Sequence, residues 1–296
     1  MKLSFLYAQA VKFGKKYDPR PKGAISAYED TAILYGSPDT QIRKILVGID
    51  IDAAELLLAD KIRQEEGLDL VISHHPEGRA WANFYQVMQL QVDMLEALGL
   101  ARKAAQQFID ERKAEVARRV MPQNHTRSVD VARILKMPFM CVHTPADNHV
   151  YAYLKGLFKK EKPRQVRDII KILSAISEYK TAARESTGPK ITLGSPLRGV
   201  GKILLEMTGG TEGHSGVFAK IYPLGVRTLV SMHLGDEHFK KVKDANLNVV
   251  IAGHISSDTL GLNLLLDNIE KAAGEELEVV SCSGFRRFQR AHKRHN

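Results

Sequence analysis

Apolar and polar positions fall into blocks along this chain, and the block lengths separate strands from helices. Short, largely apolar runs bounded by turn formers recur at 31–35, 44–49, 70–73, 138–142, 202–206, 227–232, 248–252 and 278–281. Runs of this length with few polar interruptions read as strands, buried on both faces where the run is continuous. Between them lie longer stretches with apolar residues at helical spacing: 1–16, 53–65, 81 to about 120, 148–160 and 164–178. Asp52 stands where it would cap the second of these. Phe84, Val87, Met88 and Leu95 form an apolar stripe on the third, as core or as subunit contact. Segment 17–23 is rich in proline and charge and reads as a linker; 180–201, with its glycines and prolines, reads as a loop or a domain boundary. In the last third strand and helix alternate strictly. This alternation predicts an α/β fold of mostly parallel βα units. We expect two interlinked α/β domains: 1–135 with a helical extension, completed by 250–296, and 136–249.

Polar residues with metal-binding or acid–base chemistry recur where these runs end. The apolar run 70–72 stops at Ser73-His74-His75-Pro76. Neighbouring side chains of a regular strand point to opposite faces, so both imidazoles serve one site only if the chain leaves the sheet there, as Pro76 encourages. A capped loop with one packed and one solvated histidine would give the same letters. His143 and Asp147 follow the run 138–142, Asp236 and His238 follow 227–232, and His254 and Asp258 follow 248–252. A spacing of four puts two side chains on one helical face. Imidazole with carboxylate suits iron, zinc, manganese or cobalt. The glycine loop Thr208–His214 also follows a strand and would offer backbone N–H groups to a phosphate or carboxylate. It lacks both the Gly-Lys-Ser/Thr ending of a P-loop and the G-x-G-x-x-G dinucleotide pattern. A tight strand-to-helix turn is the plainer use of it.

Composition adds boundaries rather than a function. The 296 residues, 44% hydrophobic and 26% charged, are globular in balance. No apolar run approaches the ~20 residues of a membrane helix, and the lysine-bearing start has no small-residue cleavage site, so we expect no membrane partner and a cytoplasmic location. Two distant cysteines, Cys141 and Cys282, make neither a disulfide framework nor a zinc finger. The net charge of +9 concentrates in 159–164 and in the tail 286–294, where Phe285 and Phe288 interleave the arginines. Such a tail suits nucleic acid, although solvated termini look the same.

Taken in order, these motifs resemble the Nif-three-like proteins, a dinuclear-metal family to which the label GTP cyclohydrolase I type 2 is often attached. Glu29–Pro76, with Asp30-Thr31-Ala32, Gly36 and Ser-His-His-Pro, is similar to that family's opening. His143-Thr144-Pro145-Ala146-Asp147-Asn148 resembles its His-Thr-x-x-Asp motif, and Gly235-Asp236 and Gly253 to Asp258 resemble its C-terminal motifs. The resemblance implies His74, His75, Asp147, His254 and Asp258 as ligands of two divalent ions, with aspartate last where the family usually has glutamate. It also implies a homo-oligomer, a toroidal hexamer.

Together these readings predict a metal-dependent hydrolase. Its two ions would share a water, lower the pKa of that water and present hydroxide to a phosphorylated or nucleotide-like anionic substrate. Asp236 and His238 are the proton-transfer candidates. The alternative is a non-catalytic metal-handling or interaction protein.

Overall fold

Residues 1–290 are described by the computed structural model. The chain opens with α1 (Leu3–Tyr17), β1 (Thr31–Tyr35), β2 (Lys44–Gly48), α2 (Ala53–Glu66) and β3 (Leu70–Ser73). A helical excursion follows: α3 (Gly78–Ala82), a 3₁₀ turn over Phe84–Gln89, α4 (Leu90–Ala97), α5 (Arg102–Val120) and α6 (Arg127–Leu135). Then come β4 (Phe139–Val142), α7 (Thr144–Glu161), α8 (Val166–Ser174), α9 (Ser177–Arg184), β5 (Lys190–Leu193) and β6 (Lys202–Glu206). The last third holds α10 (Val217–Ile221), β7 (Val226–Ser231), α11 (Asp236–Asp244), β8 (Asn248–Ile251), α12 (His254–Ala273) and β9 (Glu278–Ser281).

These strands form two sheets, ordered β1-β4-β3-β2-β9 and β5-β8-β7-β6. The central pairings are parallel, while the edge strands β1 and β5 run antiparallel to β4 and β8. The fold is therefore α/β with mostly parallel sheets, as the alternation of blocks predicts. Register brings Ser73 beside Gly48 and Cys141, so the chain leaves β2, β3 and β4 at one level of the sheet. Two long helices join the sheets. On α12, Leu262, Leu265, Leu266 and Ile269 pack with Ile45, Val47, Ile72 and Met140 of the first sheet, whereas Leu260 packs with Val230 and Val250 of the second. On α7, Ala146 belongs to the first cluster and Val150, Leu154 and Phe158 to the second. Burying each such leucine is worth roughly 1.5–3 kcal/mol, and spreading that burial over both sheets ties their relative position to the two helices.

Where the fold departs from the sequence reading, local causes are visible. The helical stretch 81–120 is broken at Asn83 and again around Gly99, whose φ of +105° a helix cannot hold. Its stripe is spent inside the chain: Phe84, Met88 and Leu95 are buried against Leu204, Val217 and Phe218, not offered to another subunit. The segment read as a loop, 180–201, contains β5, whose alternating exposed and half-buried residues reflect an edge strand with one solvated face. The short helices α6 and α10 carry no apolar pattern long enough to announce them, and the helix expected over 164–178 divides at Ile176, which turns inward with extended backbone. In the basic tail, Phe285 is buried, Arg287 pairs with Asp267 and Glu270 at 2.7 Å, and Arg290 pairs with Glu178 at 2.7 Å. These groups are committed to their own chain; residues 291–294 of that tail lie outside the described residues. No described helix is long and apolar enough to cross a membrane.

Candidate metal centre

The carboxyl ends of strands from both sheets face one place, and most of the expected ligands lie there. His74 and His75 follow β3, and their backbone N–H groups donate to Gly48 O and Ile49 O, which draws the two residues out of the pleat together. His143 follows β4, and α7 starts at once, four residues earlier than its apolar pattern suggests, with Pro145 in its first turn. Asp147 therefore stands one helical turn beyond His143. His254 opens α12 after Gly253, whose φ of +109° makes the sharp entry; a Cβ there would meet Ser256 Oγ at 2.6 Å. Asp258 follows one turn later.

Three imidazoles present Nε2 to a common centre because their Nδ1 atoms are already taken. His74 Nδ1 meets Val142 O at 3.1 Å, His75 Nδ1 meets Asp50 Oδ1 at 2.6 Å, and His143 Nδ1 meets Asp30 Oδ2 at 2.8 Å. Opposite them stand two buried carboxylates. Asp258 Oδ1 lies 3.5 Å from His74 Nε2, and its Oδ2 lies 3.5 Å from His75 Nε2 and 3.4 Å from His254 Nε2. Asp147 Oδ1 lies 3.4 Å from His74 Nε2. Both Asp258 oxygens, Asp147 Oδ1 and His74 Nε2 are buried without a hydrogen-bond partner. An orphaned buried carboxylate is costly, and charge-assisted N–H···O bonds are shorter than these separations. Two ligand atoms each ~2.1 Å from one ion at a tetrahedral angle stand about 3.4 Å apart. The donor set thus fits cations, and three overlapping groups could hold one: His74, Asp147 and Asp258; His75, His254 and Asp258; His74, His75 and His143.

Electrostatics agree with this geometry. Burial disfavours the charged form of His74, but Asp258 and Asp147 outweigh it and push that imidazole up to about 10. His75 goes up to about 9 by the same competition, with Asp258 and Asp50 prevailing. Burial also opposes ionisation of Asp258, yet the surrounding histidines hold its carboxyl well below the usual range.

Two openings meet at the centre. A cleft lined by His75, Glu77, Trp81, Phe84, Arg127 and His233 leads in from outside, and a smaller cavity runs past Asp147, Glu206, Thr208 and Glu212. His143, Gly210, Thr211, His233 and His254 line both. The glycine loop is a wall of this site. Gly209 and Gly210 have φ of +102° and +86°, and a Cβ on Gly209 would meet Gln91 Cγ at 2.7 Å. That close approach lets Gln91 Nε2 donate to Gly209 O and Thr211 O.

Neither proton-transfer candidate lines the openings. Asp236 is exposed at the start of α11. His238 is buried, with Nε2 on Gly213 O at 2.7 Å and Nδ1 3.3 Å from Glu212. A different histidine occupies the mouth. His233 packs edge-on against His254 with ring centroids 4.9 Å apart, and its Nδ1 meets Glu212 Oε1 at 3.1 Å. Sequence reasoning missed His233, Glu212, Asp50 and Asp30 in these roles. His233 does end a strand run as the others do, but the carboxylate behind it lies 21 residues away in a loop.

No protein-family model and no curated protein matches the chain. Solved structures do. A NIF3 superfamily protein from Sphaerobacter thermophilus aligns with a TM-score of 0.76 at 28% identity, covering 94% of this chain and 98% of its own. Reduced HcgD from Methanocaldococcus jannaschii gives 0.55 at 15% identity over 95% and 97%, and TTHA1606 from Thermus thermophilus gives 0.51 at 14% over 95% and 97%. At those lower identities the likeness is one of fold alone. The structural neighbours of this chain are NIF3 superfamily proteins, and it carries their fold along almost its whole length.

Proposed function

We propose that this protein binds two divalent transition-metal ions and uses them to hydrolyse a phosphorylated or nucleotide-like substrate. The observation that carries the reading is Asp258: a carboxylate 1% exposed, both oxygens unpartnered, each facing different imidazoles at 3.4–3.5 Å. His74 and Asp147 would hold one ion, His75 and His254 the other, with Asp258 shared between them. Two such ions supply Lewis acidity and a water ionised near neutral pH.

The remaining roles fall to the chain's own groups. Val142 O and Asp50 hold the Nδ1 sides of His74 and His75, so the Nε2 atoms face inward, where ions would displace their protons. The cation lining the cleft, Arg127, is already in contact with Asp52, so an anionic group would be balanced by the ions rather than by lysine or arginine. His233, backed by Glu212, suits the proton-transfer role better than Asp236 or His238, because it lines the cleft and they do not.

Elemental analysis of purified protein, paired with turnover on a panel of phosphate esters and nucleotides, tests both halves. Parent protein should carry about two ions per chain. His75→Ala and His254→Ala should each lose one, and full metal content in both would refute the assignment. His233→Gln should keep both ions and lose ~10²–10⁴-fold in rate. A fully metallated parent that turns over none of the panel would remove the hydrolase and leave a protein that holds metal.

A further inference from the structure

We infer that His143 is a further metal ligand, the fourth protein donor to the ion held by His74, Asp147 and Asp258. This rests on the two-ion reading above, whose ligand set does not include His143. The residue is 6% exposed and lines both the cleft and the cavity, yet its Nε2 makes no hydrogen bond among the described residues. Nε2 is 3.7 Å from Asp147 Oδ2, and the ligand atoms of His74, His75 and His143 lie within 4.8 Å of one another. The ring stands 4.9 Å from that of His74, between centroids.

What makes His143 a built ligand rather than a packed histidine is Asp30, fully buried behind it. The Asp30 carboxylate accepts from His143 Nδ1 at 2.8 Å, from Thr144 Oγ1 at 2.6 Å and from Thr144 N at 3.2 Å. With Asp30 accepting from Nδ1, the ring proton sits on Nδ1. The Nε2 lone pair is thereby fixed toward the centre, the same arrangement that Val142 O gives His74 and Asp50 gives His75. The two ion positions then differ in kind. The inner one would have four buried protein donors, while the outer one would have His75, His254 and Asp258 and a side facing the cleft.

Cobalt(II) substitution reads this directly in the unaltered protein. Each coordinated imidazole gives a hyperfine-shifted, exchangeable N–H proton resonance, so the fully loaded parent should show four, from His74, His75, His143 and His254. The His143 signal should be among the slowest to disappear in D₂O, because its N–H is buried against Asp30. Asp30→Asn should move that one resonance and weaken the inner ion by ~10–100-fold, the usual effect of losing an outer carboxylate. His143→Gln should reduce the visible cobalt absorption of the inner site while His75 and His254 keep the outer ion. Three shifted resonances in fully loaded parent, or unchanged spectrum and affinity in both variants, would overturn the assignment of His143. A parent that binds no cobalt would instead overturn the two-ion reading itself.

Discussion

Asp258 decides more than any other single side chain. Because its two oxygens face different histidines, removing its charge should affect both ion positions, whereas a histidine at one position should affect only that one. Asp258→Asn replaces a carboxylate with a neutral amide of equal size, a poorer donor to a hard cation, and should take the chain from about two ions to fewer than one. Asp258→Glu keeps the charge, and glutamate is the residue the family resemblance expects there, so both ions should stay. Metal titration followed by elemental analysis of the desalted proteins separates these outcomes. If Asp258→Asn retained both ions, the carboxylate would be no more than an acid favourably placed near a helix start.

The elements matter through where they cross. Helices α7 and α12 touch so closely at Gly261 that a Cβ there would meet Ala146 O at 2.6 Å. Ala146 precedes Asp147, and Gly261 lies just under one turn after Asp258, so this contact sets the spacing of the two carboxylates. Gly261→Ala should force the helices apart, costing ~1–3 kcal/mol in urea unfolding and weakening metal binding with it. Gly156, on the exposed side of α7, has nothing within 4 Å of its would-be Cβ. Gly156→Ala should instead stabilise by ~0.5–1 kcal/mol and leave metal affinity unchanged. Equal behaviour of the two variants would show that helix separation does not govern the site. At the carboxyl end of β2, Asp52 caps α2 where the sequence reading placed a cap, and Glu55 completes a capping box.

For the whole molecule, charge is distributed against the site. The net +9 lies largely in surface runs and in a tail whose described arginines are paired, while Asp50, Glu77, Glu206 and Glu212 line the openings to the centre. One of these acids links the site to global stability. Burial raises Glu212, but the hydrogen bonds from His233 and Gly235 N–H and the charge of His238 prevail, lowering it from 4.5 to about 2. A folded-state pKa below the unfolded one stabilises fully above the unfolded value and loses that contribution as pH falls through the folded one. The parent should therefore lose stability between pH 4.5 and about 2 more steeply than Glu212→Gln. Urea midpoints across that range measure it, and parallel curves would show that Glu212 is not held ionised by its neighbours.

The sequence by itself determined the buried strands, because a strand covered on both faces is written as an unbroken apolar run. It also determined which residues leave those strands, so His74, His75, Asp147, His254 and Asp258 were legible as a set: each lies within a few residues of its strand end. What it left open depends on contacts between distant parts of the chain. The edge strand β5 has only one covered face and no continuous run to announce it. What the apolar stripe of the 81–120 stretch packs against, Leu204, Val217 and Phe218, was equally open. The partners that orient the imidazoles, Asp30 for His143 and Asp50 for His75, are 113 and 25 residues away along the chain. Only the register of β1, β2, β3 and β4 brings those carboxylates behind the rings. His238 and His233 look alike in sequence, and the fold alone decided which turns inward to Gly213 and which faces the cleft.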